Sequence, residues 1–323
     1  MVNRQTLPTV IQIPKVTWVV VLLLILFSLG SANFFTLNNL LTIGRQAAVL
    51  VIIAMGTTLV ILSGGVDLSS GTVMSLAGCV AVMSINDAGL PVPLGMTLGI
   101  GSGILAGLAN GLFITFGRVP PFVATFGMLA MAQGLALVLT NASSQVAPTG
   151  FYRFIGNGDV LGIPALVILA ALVFLFANYI LYETAFGVYI FGLGSNEDAV
   201  RRMGVNVRQC KISLYALAGA LSGLGGVALS SRMSTAHPTV GLGWEFDAVA
   251  AAVLGGTSLS GGRGSLAGTL VGVMLIAVLR NGLNLIGLPS NWQHGVTGVV
   301  IVAALVIEVV LSRRQLQWLG IEE

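Results

Sequence analysis

The sequence predicts an all-α, polytopic integral membrane protein of about ten transmembrane helices, with both termini in the cytoplasm. Three observations lead there. Of 323 residues, 56% are hydrophobic and 8% are charged, and the mean hydropathy is +0.98. A soluble domain of that composition lacks the polar groups to cover its own surface, whereas lipid demands none. The charges are also spaced so that apolar runs of about 20 residues, enough to cross the hydrocarbon core, lie between them. Finally, the basic residues segregate to alternate connections.

Taken in order, the charge-free runs place helices at 17–35, 46–62, 69–86, 93–116, 121–140, 162–182, 211–231, 246–259, 265–283 and 292–311. The whole chain, 1–323, reads as a single transmembrane domain. It has an N-terminal arm at 1–15, a charged cytoplasmic loop at 184–210 and a tail at 312–323. The first apolar run is too long for a signal-peptide core and lacks a small-residue cleavage site, so it reads as a retained signal anchor. With an even number of crossings, Arg4, Lys15, Arg118, Arg201, Arg202, Arg208, Lys211, Arg263, Arg313 and Arg314 fall inside. Arg45, Arg153, Arg232 and Arg280 fall outside, which satisfies the positive-inside rule.

The formal charge of +3 follows from that topology. It implies lipid as a partner and no nucleic acid. Cys79 lies in the third span and Cys210 in the charged loop, too far apart for a disulfide. Neither they nor His237 and His294 have the clustered companions a metal site needs, so the expectation is no metal.

Glycine is the second signal, with 43 copies. Gly95, Gly99, Gly103, Gly107 and Gly111 recur at spacing four along one predicted helix, which lets a neighbouring backbone approach closely. Gly219 with Gly223, and Gly264, Gly268 with Gly272, repeat the pattern. Two other stretches are loops: "SGGVDLSSG" at 63–71, carrying Gly64, Gly65 and Asp67, and "LGGTSLSGGRGS" at 254–265, carrying Gly255, Gly256, Gly261 and Gly262. Both contain GG-x-x-L-S-x-G, compatible with an internal duplication of broken helices beside a pathway. Non-helical backbone at membrane depth is tolerated only inside protein or beside water. Asp67 and Asp247 then cap helix breaks. Neither stretch binds nucleotide: Gly261, Gly262 and Arg263 lack the lysine of a phosphate loop, and "GLGSNE" at 192–197 lacks the third glycine of a dinucleotide fingerprint.

The segment from Glu183 to Lys211 holds seven of the 25 charged residues. Ser195 or Asn196 can cap a helix whose first turn carries Glu197 and Asp198 and whose last turn carries Arg201 and Arg202, with Gly204 ending it. That is a two-turn helix over 196–203, with Ala199, Val200 and Met203 as its apolar face. So short a helix is marginal alone and needs something to pack against. The alternatives are an ordinary solvated loop and a docking helix for a cytoplasmic partner.

Six blocks in fixed order resemble one family: "ANFFTLNNLLTI" (32–43), "GTTLVILSGGVDLSSG" (56–71), "PPFVATFGMLAMAQGLAL" (120–137), "GSNEDAVRRMGVNV" (194–207), "HPTVGLGWEFDAVAAAVLGGTSLSGGRGSLAGTL" (237–270) and "NGLNLIGL" (281–288). The chain resembles the membrane permease subunits of ribose-type ABC sugar importers of the bacterial inner membrane. In that family an EAA-x-x-x-G loop is the coupling helix that sits in a groove of the ATPase; Asp198, Ala199, Val200 and Gly204 match it, with Asp for Glu and Val for the second Ala. The resemblance implies ATPase coupling through Asn196, Glu197, Asp198, Ala199, Val200, Arg201, Arg202, Met203 and Gly204. It further implies a separate ABC ATPase that carries ATP and Mg, no cofactor on this chain, a soluble sugar-binding protein, and a second permease chain, alike or paired. The chain departs from the usual pattern at Ser70 and near Thr297, which points to a different substrate or a non-identical second permease.

Sugars are bound by amides, hydroxyls and aromatic faces, and intramembrane polar groups are costly. Gln46, Gln133, Asn281, Asn284, Gln293 and His294 are therefore pathway candidates, with interhelical hydrogen bonding as the alternative for each. Trp18, Trp244, Trp292 and Trp318 fit interfacial anchoring. The competing function is an ion-coupled secondary sugar transporter, which usually needs an intramembrane acid, base or histidine relay. No catalytic constellation is visible, so an enzyme is not expected.

Overall fold

The computed structural model describes residues 16–289 and isolated positions as far as 302. Over these residues the chain runs α1 (Val16–Gly30), α2 (Leu37–Leu62), α3 (Ser70–Asn86), α4 (Val92–Thr115), α5 (Pro121–Thr140), β1 (Gln145–Val146), α6 (Phe151–Asn157), β2 (Asp159–Val160), β3 (Ile163–Pro164), α7 (Ala165–Glu183), α8 (Ala185–Arg202), α9 (Val207–Met233), β4 (Thr235–Ala236), α10 (Trp244–Leu254) and α11 (Leu266–Leu285). Six helices, α2, α4, α5, α7, α9 and α11, are long and apolar enough to cross a bilayer. The four strands are two-residue bridges. β1 pairs antiparallel with β4 (Gln145 opposite Ala236), and β2 with β3 (Asp159 opposite Pro164).

Nine of the ten expected spans coincide with helices; the tenth, 292–311, is described only at isolated positions as far as 302, and 1–15 and 312–323 lie outside the described residues. The boundaries move where local chemistry outweighs charge. The second span starts at Leu37 rather than 46, because the Thr36 hydroxyl accepts from Asn39 N at 3.4 Å and caps the helix. Arg45 is carried inside that helix by an ion pair to Asp159 at 2.7 Å. The seventh span starts at Val207, capped by Asn206 Oδ1 accepting from Gln209 N at 3.2 Å. The eighth ends five residues early at Leu254, where Gly255 and Gly256 turn the chain. Two helical segments fall outside the predicted spans: α6, and the first half of α8, which the sequence places within a loop.

α2 lies at the centre, buried from Ala47 to Leu62, with α7, α9, α10 and α11 around it. The outer helices expose apolar faces through Leu105 on α4, Phe122 and Phe126 on α5, and Leu172 and Leu175 on α7. In water such surface would be a liability; facing lipid it needs no cover.

The glycine ladder of α4 does what its spacing predicts. Gly95, Gly99, Gly103, Gly107 and Gly111 are all buried. A Cβ on Gly103 would fall against the Gly219 carbonyl and Gly223, on Gly107 against the Tyr215 carbonyl, and on Gly111 2.8 Å from Ile212 Cα. Gly219 and Gly223 of α9 meet α4 reciprocally. α10 and α11 approach the same way, through Gly255 against Gly268 and Ala251 against Gly272.

Candidate functional site: the charged helix, its glycine junction and a polar cavity

Helix α8 is broken at Asn196, which has φ −161° and ψ 97°. Its side chain accepts from Ala199 N at 2.9 Å and so caps a separate terminal segment over Glu197–Arg202. Of the two predicted caps, Asn196 is the one used. The Ser195 hydroxyl instead donates back to the Phe191 carbonyl at 2.9 Å, so no capping box forms with Asp198. Met203 closes the helix and Gly204, at φ +83°, lets the chain leave it.

The segment is exposed on one side and braced on the other. Val200 is buried with Leu193, Val207 and Cys210, whereas Met203 stands 72% exposed and Ala199 faces outward. Glu197 accepts from Arg201 at 2.9 Å and from Lys211 at 2.7 Å, which ties the helix to the start of α9. Asp198 lies 3.8 Å from Arg201. Burial would push the Glu197 carboxyl up, but Lys211 and Arg201 together outweigh it and hold the group below the usual carboxylate range.

Immediately before this helix, both glycine loops converge. Gly262 N donates to the Leu62 carbonyl at 2.9 Å, joining the α10–α11 loop to the end of α2. Gly194 lies between them, and a Cβ there would strike the Leu62 carbonyl and Gly262 N. A Cβ on Gly261 would sit 2.7 Å from Gly64 N and 2.8 Å from Gly194 Cα. Gly64 and Gly261 also need positive φ, at +80° and +83°. The three segments therefore touch through backbone.

Asp67, beyond Gly65, accepts from Ser69 N at 2.8 Å and from the Ser69 hydroxyl at 2.6 Å, shaping the turn into α3. Asn110 of α4 donates to that hydroxyl at 3.0 Å. Asp247 lies in the first turn of α10 and pairs with Arg280 of α11 at 2.7 Å.

Of the pathway candidates, Gln46 and Asn284 come together in one cavity of about 200 Å³, with Trp244, Arg232 and Arg280. Gln133 lies elsewhere: its Nε2 donates to the Pro238 carbonyl at 3.2 Å, and its Oε1 is buried with no hydrogen-bond partner among the described residues. Asn281 makes a reciprocal amide pair with Asn39, at 2.9 and 3.0 Å, fastening α11 to α2. Gln293 and His294 lie outside the described residues. Sequence reasoning missed Arg232, Trp244 and Arg280 as cavity residues. The available signal was Arg280 alone, a charge deep in an apolar run. Among the described residues no group of three or more His, Cys, Asp or Glu side chains could hold a metal ion.

Residues 39–305 match the family described as the branched-chain amino acid transport system permease component. The chain is 42% identical to the ribose import permease protein RbsC of Escherichia coli K12 over 293 residues, covering 88% of this chain and 90% of that protein. It is 41% identical to RbsC of Bacillus subtilis 168, covering 89% of each. It is 31% identical to the xylose transport system permease protein XylH of E. coli K12, covering 87% of each. No solved structure matches the chain significantly. On this likeness over nearly its whole length, the chain belongs to the family of ribose-type ABC import permeases, multi-pass proteins of the bacterial inner membrane.

Proposed function

We propose that this protein is the permease subunit of an ATP-driven importer of a monosaccharide, a pentose such as ribose in the first instance, and that residues 196–204 dock its ATPase. Relatives named for ribose and xylose support the substrate class. The single observation that carries the docking assignment is the exposed, capped helix at Glu197–Arg202, standing on a backbone junction with α2 and the α10–α11 loop. A push on that helix is passed to the membrane helices with no flexible linker between.

In this reading ATP and Mg belong to the partner chain, a soluble binding protein delivers the sugar to the outer face, and a second permease copy completes the pathway. The chain forms one domain of ten crossings with both termini inside. The grouping of Arg118, Arg201, Arg208 and Lys211 around one cavity, and of Arg232 and Arg280 around another, supports that orientation. Gln46, Asn284 and Trp244 are the residues of this chain best arranged to meet a sugar, two amides beside an aromatic face.

The test is a mild-detergent pull-down of the tagged chain from its host, with mass spectrometry of the partners. The expected result is an ATPase carrying a Walker A loop, lost when 196–204 are scrambled. A chain that returns alone yet moves sugar on an ion gradient overturns the proposal in favour of a secondary transporter.

A further inference from the structure

Beside the charged helix lies a second cavity, of about 670 Å³, between the end of α4, the end of α8 and the start of α9. Its wall carries Arg118, Arg201, Arg208 and Lys211, and one carboxylate, Glu197. Both oxygens of that carboxylate are occupied, one by Arg201 and one by Lys211. Among the described residues no carboxylate pairs with Arg118 or Arg208. Arg208 is held over the Phe116 ring, 5.4 Å from its centroid. Arg118 sits at φ +53°, a conformation uncommon for a residue with a side chain. The cavity thus holds positive charge well beyond what its own acid can match.

We propose that this cavity binds the phosphate of an anionic phospholipid headgroup from the inner leaflet. Its placement at the inner face rests on the orientation proposed above; the charge and shape do not. A phosphate fits because its oxygens accept from several guanidinium groups at once. Lipid is favoured over a free anion because the same corner of the molecule offers acyl-chain surface. Phe113 on the last turn of α4 and Phe116 at its C-terminal cap are exposed, at 45% and 62%. Phe122 and Phe126 follow as a stacked, exposed pair on α5. Basic pockets between membrane helices on the cytoplasmic side are suited to anionic headgroups.

The experiment uses the full chain purified alone in detergent and measures lipid retention by native mass spectrometry, titrating phosphatidylglycerol against phosphatidylcholine. Retention of phosphatidylglycerol is expected to exceed that of phosphatidylcholine. It should fall roughly 25-fold in the Arg118→Ala/Arg208→Ala variant, about 5-fold per cation. An Arg118→Lys/Arg208→Lys variant keeps the charge and should retain most of the preference; it also serves if the alanine pair does not fold. Equal retention of the two lipids, or an unchanged preference in the alanine variant, overturns the proposal. So does inorganic phosphate that stabilises the chain as well as phosphatidylglycerol does, which would make the occupant a free anion. Loss of ATPase co-purification in the alanine variant with lipid retention unchanged would assign the cavity to a protein partner instead. Because no other subunit is present in the lipid measurement, failure of the coupling assignment leaves it readable.

Discussion

Glu197 and Gly194 do opposite kinds of work within four residues. Glu197 braces the charged helix through side-chain charge. Its depressed titration means the folded state binds that proton less readily than the unfolded chain. The brace therefore contributes above the ordinary value of 4.5 and is lost as pH falls through the lowered one. Hydrogen exchange at 197–203, corrected for intrinsic rate, should show a two- to fivefold loss of protection on acidification below that value, modest because the pair is part-exposed. Glu197→Gln should show the loss already at neutral pH, with no further step; a wild-type profile in that variant would remove the brace. Gly194 works by having no side chain, and Gly194→Ala should cost about 1–3 kcal/mol in thermal unfolding and abolish uptake at normal membrane abundance. The Arg280–Asp247 pair is the third residue-scale case. Arg280→Ala should destabilise by about 1–3 kcal/mol, because the buried Asp247 carboxylate loses one charge-assisted hydrogen bond.

Among elements, α4 gives the sharpest contrast. Gly103 touches the α9 backbone, whereas Gly101, two residues away on the same helix, has open space around it. Gly103→Ala should lower the melting temperature and Gly101→Ala should leave it unchanged or raise it, by up to about 1 kcal/mol in stability. Equal effects at the two positions would mean the ladder is not a packing face. The ladder was legible in the sequence because helical spacing writes itself as a period of four. The nine helices that coincide with apolar runs were legible because runs of that length and hydropathy fold as helices in lipid. Their ends were less so, since a charge such as Arg45 marks a boundary only when it lacks a partner, and Asp159 is distant in sequence. The first half of α8 was missed because it is short, glycine-rich and set among charges. At the site, the Asn196 cap could be read locally. The meeting of Gly64, Gly194 and Gly261 could not, because backbone contact between distant segments leaves no side-chain pattern to find.

At the scale of the whole molecule, the orientation is open to direct measurement. Cys79 and Cys210 are both buried, so background labelling by thiol reagents is low. Leu161 is fully exposed in the α6–α7 connection and Met203 stands out at the end of the charged helix. In spheroplasts, a membrane-impermeant maleimide should label Leu161→Cys at once and Met203→Cys only after permeabilisation. The reverse pattern would turn the molecule over and remove the docking assignment with it.

The glycine junction also has a genetic consequence. Damage at an ordinary packed interface can be repaired by trimming the neighbour that is hit. Here the atoms that a side chain at Gly194 would meet are the Leu62 carbonyl and the backbone of Gly261 and Gly262, all main chain, which no substitution at those positions can shorten. Revertants selected from a Gly194→Ala strain should therefore be true back-mutations, or lie in segments that move a whole loop, and should not arise among the glycines themselves.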